Sequence, residues 1–197
     1  MKYSQNDEEQ HILNYFHGAR GHFLDIGAND GIGNSNSRRL VELGWTGVLV
    51  EPNPSAFAVL KKNCEGNVNL QLIEAFVGED GTQDFWACAD SQICTGSEVH
   101  KTFWEKHPGV EYKKISVPSL SYSSLIDLCL NKDFYFVTID AEGWDVKIVQ
   151  QIPLKSSTIQ LMCVEAGGED ANKVLRYTAK YGFTLRYQSS ENILIAR

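Results

Sequence analysis

The stretch GHFLDIGANDGIG, residues 21–33, decides how the chain reads. A short apolar run, His22, Phe23, Leu24, Asp25 and Ile26, enters a loop holding Gly27, Gly31 and Gly33. A helical pattern through Leu40, Val41 and Leu43 follows at once. Strand, glycine-rich turn and helix in that order is the layout of a nucleotide-type cofactor site. Glycine lets the backbone approach a ligand closely, and the first N–H groups of the following helix are expected to face it. Asn34, Ser35 or Asn36 can cap that helix, and Gly44 suits its left-handed end. For the glycines alone an ordinary turn competes with this reading, so the rest of the chain has to decide.

Outward from this stretch, strands and helices alternate. Before it, residues 8–16 place Ile12, Leu13 and Phe16 at helical spacing. After it, residues 45–50 form a run of β-formers ending in Glu51, Pro52, Asn53 and Pro54, and Phe57, Val59 and Leu60 mark a helix. Residues 68–76 read as a third strand, residues 78–81 as a turn, and residues 84–89 as a short strand. A serine-capped helix is expected over residues 121–130. The nearly continuous apolar run 134–139 suits a strand covered on both faces and ends in Asp140, Ala141, Glu142 and Gly143. A helix over 145–152 stopped by Pro153, a strand over 159–164 and a helix over 170–181 come next. Residues 183–187 and 192–196 flank a Ser189, Ser190 turn and predict a terminal antiparallel hairpin. Such alternation predicts a mostly parallel sheet with right-handed crossovers. Residues 90–118 fit least well: they hold Phe103, Trp104, Tyr112, His100 and His107 without strong periodicity. They read either as a lid or binding insertion, or as a surface excursion with a helix near 98–106.

The 197 residues suffice for one domain, residues 1–197, with a helical lead over 1–20. A net charge of −7 argues against a nucleic-acid partner. No apolar run is long enough to span a membrane, and the polar N-terminus lacks a signal-peptide core. Five cysteines without a C-x-x-C pair fit packing residues in a reducing compartment, so a cytoplasmic protein is expected. The five histidines lack the i, i+4 spacing of a helical metal site.

In an open α/β sheet, ligands sit beyond the carboxyl ends of the strands. Those ends carry Asp25, Glu51, Glu74, Asp140 with Glu142, and Glu165. Glu51 closes the second strand, where a carboxylate can accept both hydroxyls of a ribose. That position serves nicotinamide and S-adenosylmethionine sites alike, but the loop separates them. The position two after Gly27 is Asn29 rather than glycine, and residues 21–37 contain no Lys or Arg to meet a pyrophosphate. An acidic, polar loop suits a ligand carrying a sulfonium and an ammonium group.

These residues resemble the FkbM family of S-adenosylmethionine-dependent methyltransferases. The similarity rests on FLDIGANDG (23–31), VEPNPSAFAVLKKN (50–63), EAFVGEDG (74–81) and TIDAEGWDVKIV (138–149), and extends to the opening YSQNDEE (3–9). Residues 90–118 match no known pattern of the family. The resemblance implies an α/β, Rossmann-like three-layer sandwich with a seven-stranded sheet of order 3-2-1-4-5-7-6. It further implies that Asp25, Gly27 and Asn29 line the methionine part of the cofactor. Glu51 would hold the ribose, with Pro52 and Asn53 shaping that wall. Glu74, Ala75 and Phe76 would meet the adenine, and Asp140 would face the amino group or the reacting centre.

The family's usual acceptors are hydroxyls of saccharides or small metabolites, so O-methylation is the expected reaction. Asp140 and Glu142 are the expected bases, with His100 and His107 as candidates from the insertion. A divalent cation on Asp140, Glu142 and Glu165 is an alternative, since oxygen ligands suit Mg²⁺ or Ca²⁺, but no metal is expected. A nicotinamide-dependent oxidoreductase and a non-catalytic cofactor- or partner-binding protein are the rival readings.

Overall fold

Along each central strand, successive side chains fall into opposite apolar layers. In β1 (His22–Ile26), Leu24 and Ile26 join one buried cluster and Phe23 the other. The same alternation runs through β2 (Thr46–Val50), β7 (Phe136–Ile139), β8 (Leu161–Glu165) and β10 (Asn192–Ala196). A period of two with both sets apolar requires cover on both faces. Helices α1 (Glu8–Phe16), α2 (Arg38–Glu42) and α3 (Pro54–Asn63) supply it on one side through Ile12, Phe16, Leu40, Phe57 and Leu60. Helices α5 (Tyr122–Leu128), α6 (Asp145–Gln151) and α7 (Gly168–Ala179) supply it on the other through Leu125, Ile148, Val149 and Val174. Each large side chain taken fully out of water contributes about 1.5–3 kcal/mol, and Phe23, Leu24, Phe136 and Ile139 are all within 0% exposure.

The computed structural model describes residues 2–197. With β3 (Leu70–Ile73) and β9 (Thr184–Gln188), the main sheet runs β3-β2-β1-β7-β8-β10-β9. Counting its own strands in chain order gives the expected 3-2-1-4-5-7-6. β10 alone runs against the direction of the other strands of this sheet, pairing antiparallel with both β8 and β9, so the terminal hairpin is as read.

Two local expectations are corrected. Residues 68–76 do not form one strand: the chain leaves the sheet after Ile73, and β4 (Phe76–Val77) belongs to a second, three-stranded sheet. Nor are residues 90–118 an irregular excursion throughout. A short 3₁₀ turn (Ser91–Ile93) and α4 (Glu98–Trp104) lead into β6 (Lys113–Leu120), which pairs antiparallel with β5 (Gly81–Ala87) and parallel with β4. Pro118 disguises that strand, yet β4 pairs only with Ser119 and Leu120, so no ladder bond to β4 is lost at the proline. Phe76, Phe85, Cys94 and Val117 form a separate small core under this sheet, and Trp144 packs edge-on against Phe76.

Candidate functional site

A cavity opens at the carboxyl edge of the main sheet. Asp25, Gly27 and Asn29 reach it from the β1 loop, and Glu51 and Pro52 from the end of β2. Ala75 and Phe76 wall it where the chain crosses between sheets, and Asp140, Glu142 and Glu165 close its other side. Acids from four strand ends therefore share one space. The fifth does not: Glu74 is exposed and lies outside the walls of the cavity, because the chain turns between β3 and β4 there. Asn53 is buried behind the wall, where its Oδ1 accepts from Ser55 N (3.1 Å) and caps α3.

The β1 loop is held by its neighbour strand rather than by a helix. Gly27 N and Ala28 N both donate to Val50 O (2.9 and 3.0 Å), and α2 begins only at Arg38. The expectation that a helix N-terminus meets the ligand directly is thus corrected: α2 is five residues long and stands off behind residues 27–37. Ser35 does help to start it, since its Oγ accepts from Arg38 N at 3.0 Å. Ser37 caps nothing because its hydroxyl donates to Asp25 Oδ2 at 2.5 Å.

Glu51 is 6% exposed and fully oriented. Its Oε2 accepts from Asn29 N (2.9 Å) and its Oε1 from Asn53 N (2.8 Å), so one carboxylate ties the β1 loop to the β2 loop. Each oxygen keeps a further lone pair for a ligand donor. Burial pushes Glu51 up to about 7, and it pushes Asp25 up to about 6 against the opposing pull of the Ser37 hydroxyl.

Raised carboxyl values mean that the folded protein binds protons the unfolded chain has released. For Asp25 and Glu51, the stability this lends is present at and below their ordinary values near 4 and is lost as pH rises towards 6 and 7. The ligand-free protein is accordingly expected to unfold at lower temperature at pH 7.5 than at pH 5.5, a trend that thermal melts across this window check.

Across the cavity, one carboxylate oxygen each from Asp140, Glu142 and Glu165 lie within 4.8 Å of one another. Burial and the neighbouring acids hold Asp140 well above the ordinary carboxyl range and push Glu165 to about 11. The loop that gathers them is fixed by Asp145, whose two oxygens accept from Ala141 N (2.7 Å) and Gly143 N (3.1 Å). Glu142 sits at φ +48, with its carbonyl accepting from Thr95 Oγ1 at 2.7 Å. His100 Nδ1 lies 3.5 Å from Glu142 Oε2, an ion-pair contact rather than an aligned hydrogen bond, and Glu142 raises the histidine's proton affinity. His100 thus reaches the acids from behind, while His107 packs among Phe103 and Trp104 on the outside.

Sequence reasoning missed Gln5, Asn36 and Thr138 in the cavity wall, and Asp145 behind it. An aspartate in the first turn of a helix is the only one of these signals readable beforehand. The cysteines hold as packing residues at Cys64, Cys94, Cys129 and Cys163, whereas Cys88 is partly exposed.

Among the described residues, those lining the cavity include no Lys, Arg or His. Asn29 Oδ1 and Asn36 Oδ1 are buried without partners. A ligand offering hydroxyl, ammonium and sulfonium groups fits the carboxylates of this lining; a pyrophosphate does not.

The strand order and the acid-lined edge define a class I methyltransferase architecture. Residues 25–185 match the methyltransferase FkbM domain, and the chain belongs to that family. S-adenosylmethionine is the cofactor the family implies. No curated protein matches the chain. Among solved structures it is similar to precorrin-6y C5,15-methyltransferase from Geobacter metallireducens GS-15, with TM-score 0.54 and 15% identity over 100% of this chain and 91% of that one. It is also similar to the ribosomal protein L11 methylase from Lactobacillus delbrueckii subsp. bulgaricus, with TM-score 0.52 and 10% identity over 96% and 75% of the two chains. The METTL16 MTase domain gives TM-score 0.55 and 13% identity over 96% of this chain and 63% of that chain. At such identities the likeness speaks for the fold alone. Among the described residues, no helix is long and apolar enough to cross a membrane.

Proposed function

We propose that this protein transfers a methyl group from S-adenosylmethionine to a hydroxyl of a saccharide or small metabolite. The observation that carries the reading is the cavity's polarity: carboxylates from four strand ends line it, without a cationic side chain among the described residues. Asp25, Gly27 and Asn29 would line the methionine end, and Glu51 would accept the ribose hydroxyls between the two backbone N–H groups that orient it. Pro52 and the buried Asn53 would shape that wall, and Ala75 and Phe76 would pack on the adenine. The bound cofactor supplies a methyl carbon made electrophilic by the adjoining sulfonium.

The protein's task is then to place a hydroxyl in line with that carbon and to take its proton. Asp140 suits the second role, since a carboxylate whose proton affinity is raised by burial is a stronger base. Glu142 is the alternative acceptor of the proton. His100 would hold Glu142 in place and is read as a positioning residue.

The test is transfer of isotopically labelled methyl to a panel of saccharides and hydroxylated metabolites. Asp140→Asn is expected to lower kcat on the order of 100-fold and to leave S-adenosylhomocysteine affinity within a few-fold. Cofactor binding with no transfer to any acceptor would favour the non-catalytic reading instead.

A further inference from the structure

We propose that Gln5 binds the carboxylate at the cofactor's methionine end through its side-chain NH₂, an inference that rests on the reading of this cavity as an S-adenosylmethionine site. The walls carry carboxylates from four strand ends and, among the described residues, no Lys, Arg or His. Such a lining meets the ammonium and the hydroxyls of the ligand but not its one anionic group. That group needs a neutral donor turned towards the cavity.

The hydrogen-bond network of the N-terminal lead fixes which way the Gln5 amide faces. Glu8 is 0% exposed; its Oε1 accepts from Ser189 Oγ (2.6 Å) and Asn192 Nδ2 (3.3 Å), and its Oε2 accepts from Asn6 N (2.8 Å). Although burial opposes them, the Ser189 hydroxyl and the N–H groups of Glu8 and Asn6 hold Glu8 below its ordinary value, so it is an ionised acceptor. The Asn192 group that faces this carboxylate must be its NH₂. The same NH₂ lies 3.4 Å from the Gln5 side chain, so the Gln5 atom it meets is the oxygen. Gln5 Nε2 is left without a protein acceptor among the described residues, in a side chain that lines the cavity. Two other amides of the wall are already committed: Asn34 Nδ2 donates to Gln92 Oε1 (3.2 Å) and Asn36 Nδ2 to Thr138 Oγ1 (3.4 Å).

The position suits the ligand as well. An α-amino acid carries its ammonium and its carboxylate on one carbon, so its site must set an acceptor and a donor side by side. Asn192 is the direct ladder partner of Glu165, and Gln5 rests on the Asn192 amide. The lead therefore brings an NH₂ next to the acid that ends β8. Further bonds keep it there: Ser4 Oγ accepts from Glu9 N (3.1 Å), and Tyr3 N donates to Glu9 Oε2 (3.1 Å). A donor ordered in advance loses little freedom when the ligand arrives.

The experiment is calorimetric titration of the full chain, and of its Gln5→Ala and Gln5→Glu variants, with two ligands. One is S-adenosylhomocysteine; the other is methylthioadenosine, a thioether nucleoside without the amino-acid carboxylate. Gln5 is exposed, so both variants are expected to fold, and retained methylthioadenosine binding shows it. Gln5→Ala should weaken S-adenosylhomocysteine about 10-fold, the loss of one hydrogen bond to a charged group. Gln5→Glu should weaken it further, because a carboxylate then faces a carboxylate. Both should leave methylthioadenosine affinity within about twofold. Unchanged S-adenosylhomocysteine affinity in both variants, or an equal loss for the two ligands, would overturn this role of Gln5 and leave the cofactor reading standing. Binding of neither ligand by the unaltered chain would overturn the cofactor reading itself, and the role of Gln5 with it.

Discussion

Glu51→Gln is expected to weaken S-adenosylhomocysteine binding by roughly 100-fold. Both oxygens of Glu51 accept backbone N–H groups, one from Asn29 and one from Asn53. A glutamine can accept only one of them. Its NH₂ must face the other N–H, leaving a buried donor unsatisfied in a group that is 6% exposed. An orphaned donor and a lost charge-assisted bond to the ribose each cost about 1–3 kcal/mol. The orphaned donor is there with or without ligand and lowers stability, whereas the lost bond to the ribose sets the affinity: at about tenfold for each 1.4 kcal/mol, a loss near the top of that range is about 100-fold. Calorimetric titration of the variant reads the effect. Unchanged affinity would mean that the ribose does not sit at this carboxylate.

Gly27→Ala should remove most or all of the protein's stability. Gly27 lies at φ +88, and a Cβ there would stand 1.7 Å from the carbonyl oxygen of Asp140. That oxygen is backbone, and the strands beneath it are locked in register: Asp140 N donates to Ile26 O at 2.9 Å, and Ile26 pairs with Ile139. Relief would require β1 and β7 to part at the centre of the sheet. A loss above about 4 kcal/mol is expected, a large share of a domain's total. Gly66→Ala is the control, since Gly66 has φ +76 with nothing within 4 Å of the added carbon. It should cost only the left-handed strain of about 1–2 kcal/mol. Urea unfolding of the two variants measures the difference, and equal losses would contradict the close packing of the two loops.

That close approach explains why the fold was legible and the site only partly so. The alternation of Phe23 and Leu24, or of Phe136 and Val137, between two apolar layers leaves a direct mark in the sequence. The terminal hairpin is equally visible, because its two runs flank a polar turn. Residues 70–77 carry no such mark: apolar residues continue through Ile73 and Phe76, and only tertiary pairing reveals that they serve different sheets. Glu74 follows a strand end in sequence yet lies in solvent outside the cavity for this reason, because the chain turns away there.

The acids at Asp25, Glu51, Asp140, Glu142 and Glu165 could be read from strand-end position alone, and they do meet in one cavity. Asn36 and Thr138 could not, because an asparagine in a loop and a threonine in a strand have commoner roles. Their contact spans 102 positions of sequence. Gln5 reaches the cavity wall from the lead over residues 1–20, where Glu8 is anchored by Ser189 Oγ (2.6 Å) and Asn192 Nδ2 (3.3 Å) at the start of β10. Local sequence gives no hint of that docking.

The carboxyl edge of the sheet is proposed to bind S-adenosylmethionine through its acids. Calorimetric titration of the full chain with S-adenosylhomocysteine and, separately, with NADH tests it most directly. One S-adenosylhomocysteine site per chain and no saturable heat with NADH are expected; saturable NADH binding without S-adenosylhomocysteine binding would rule out a methyltransferase centre.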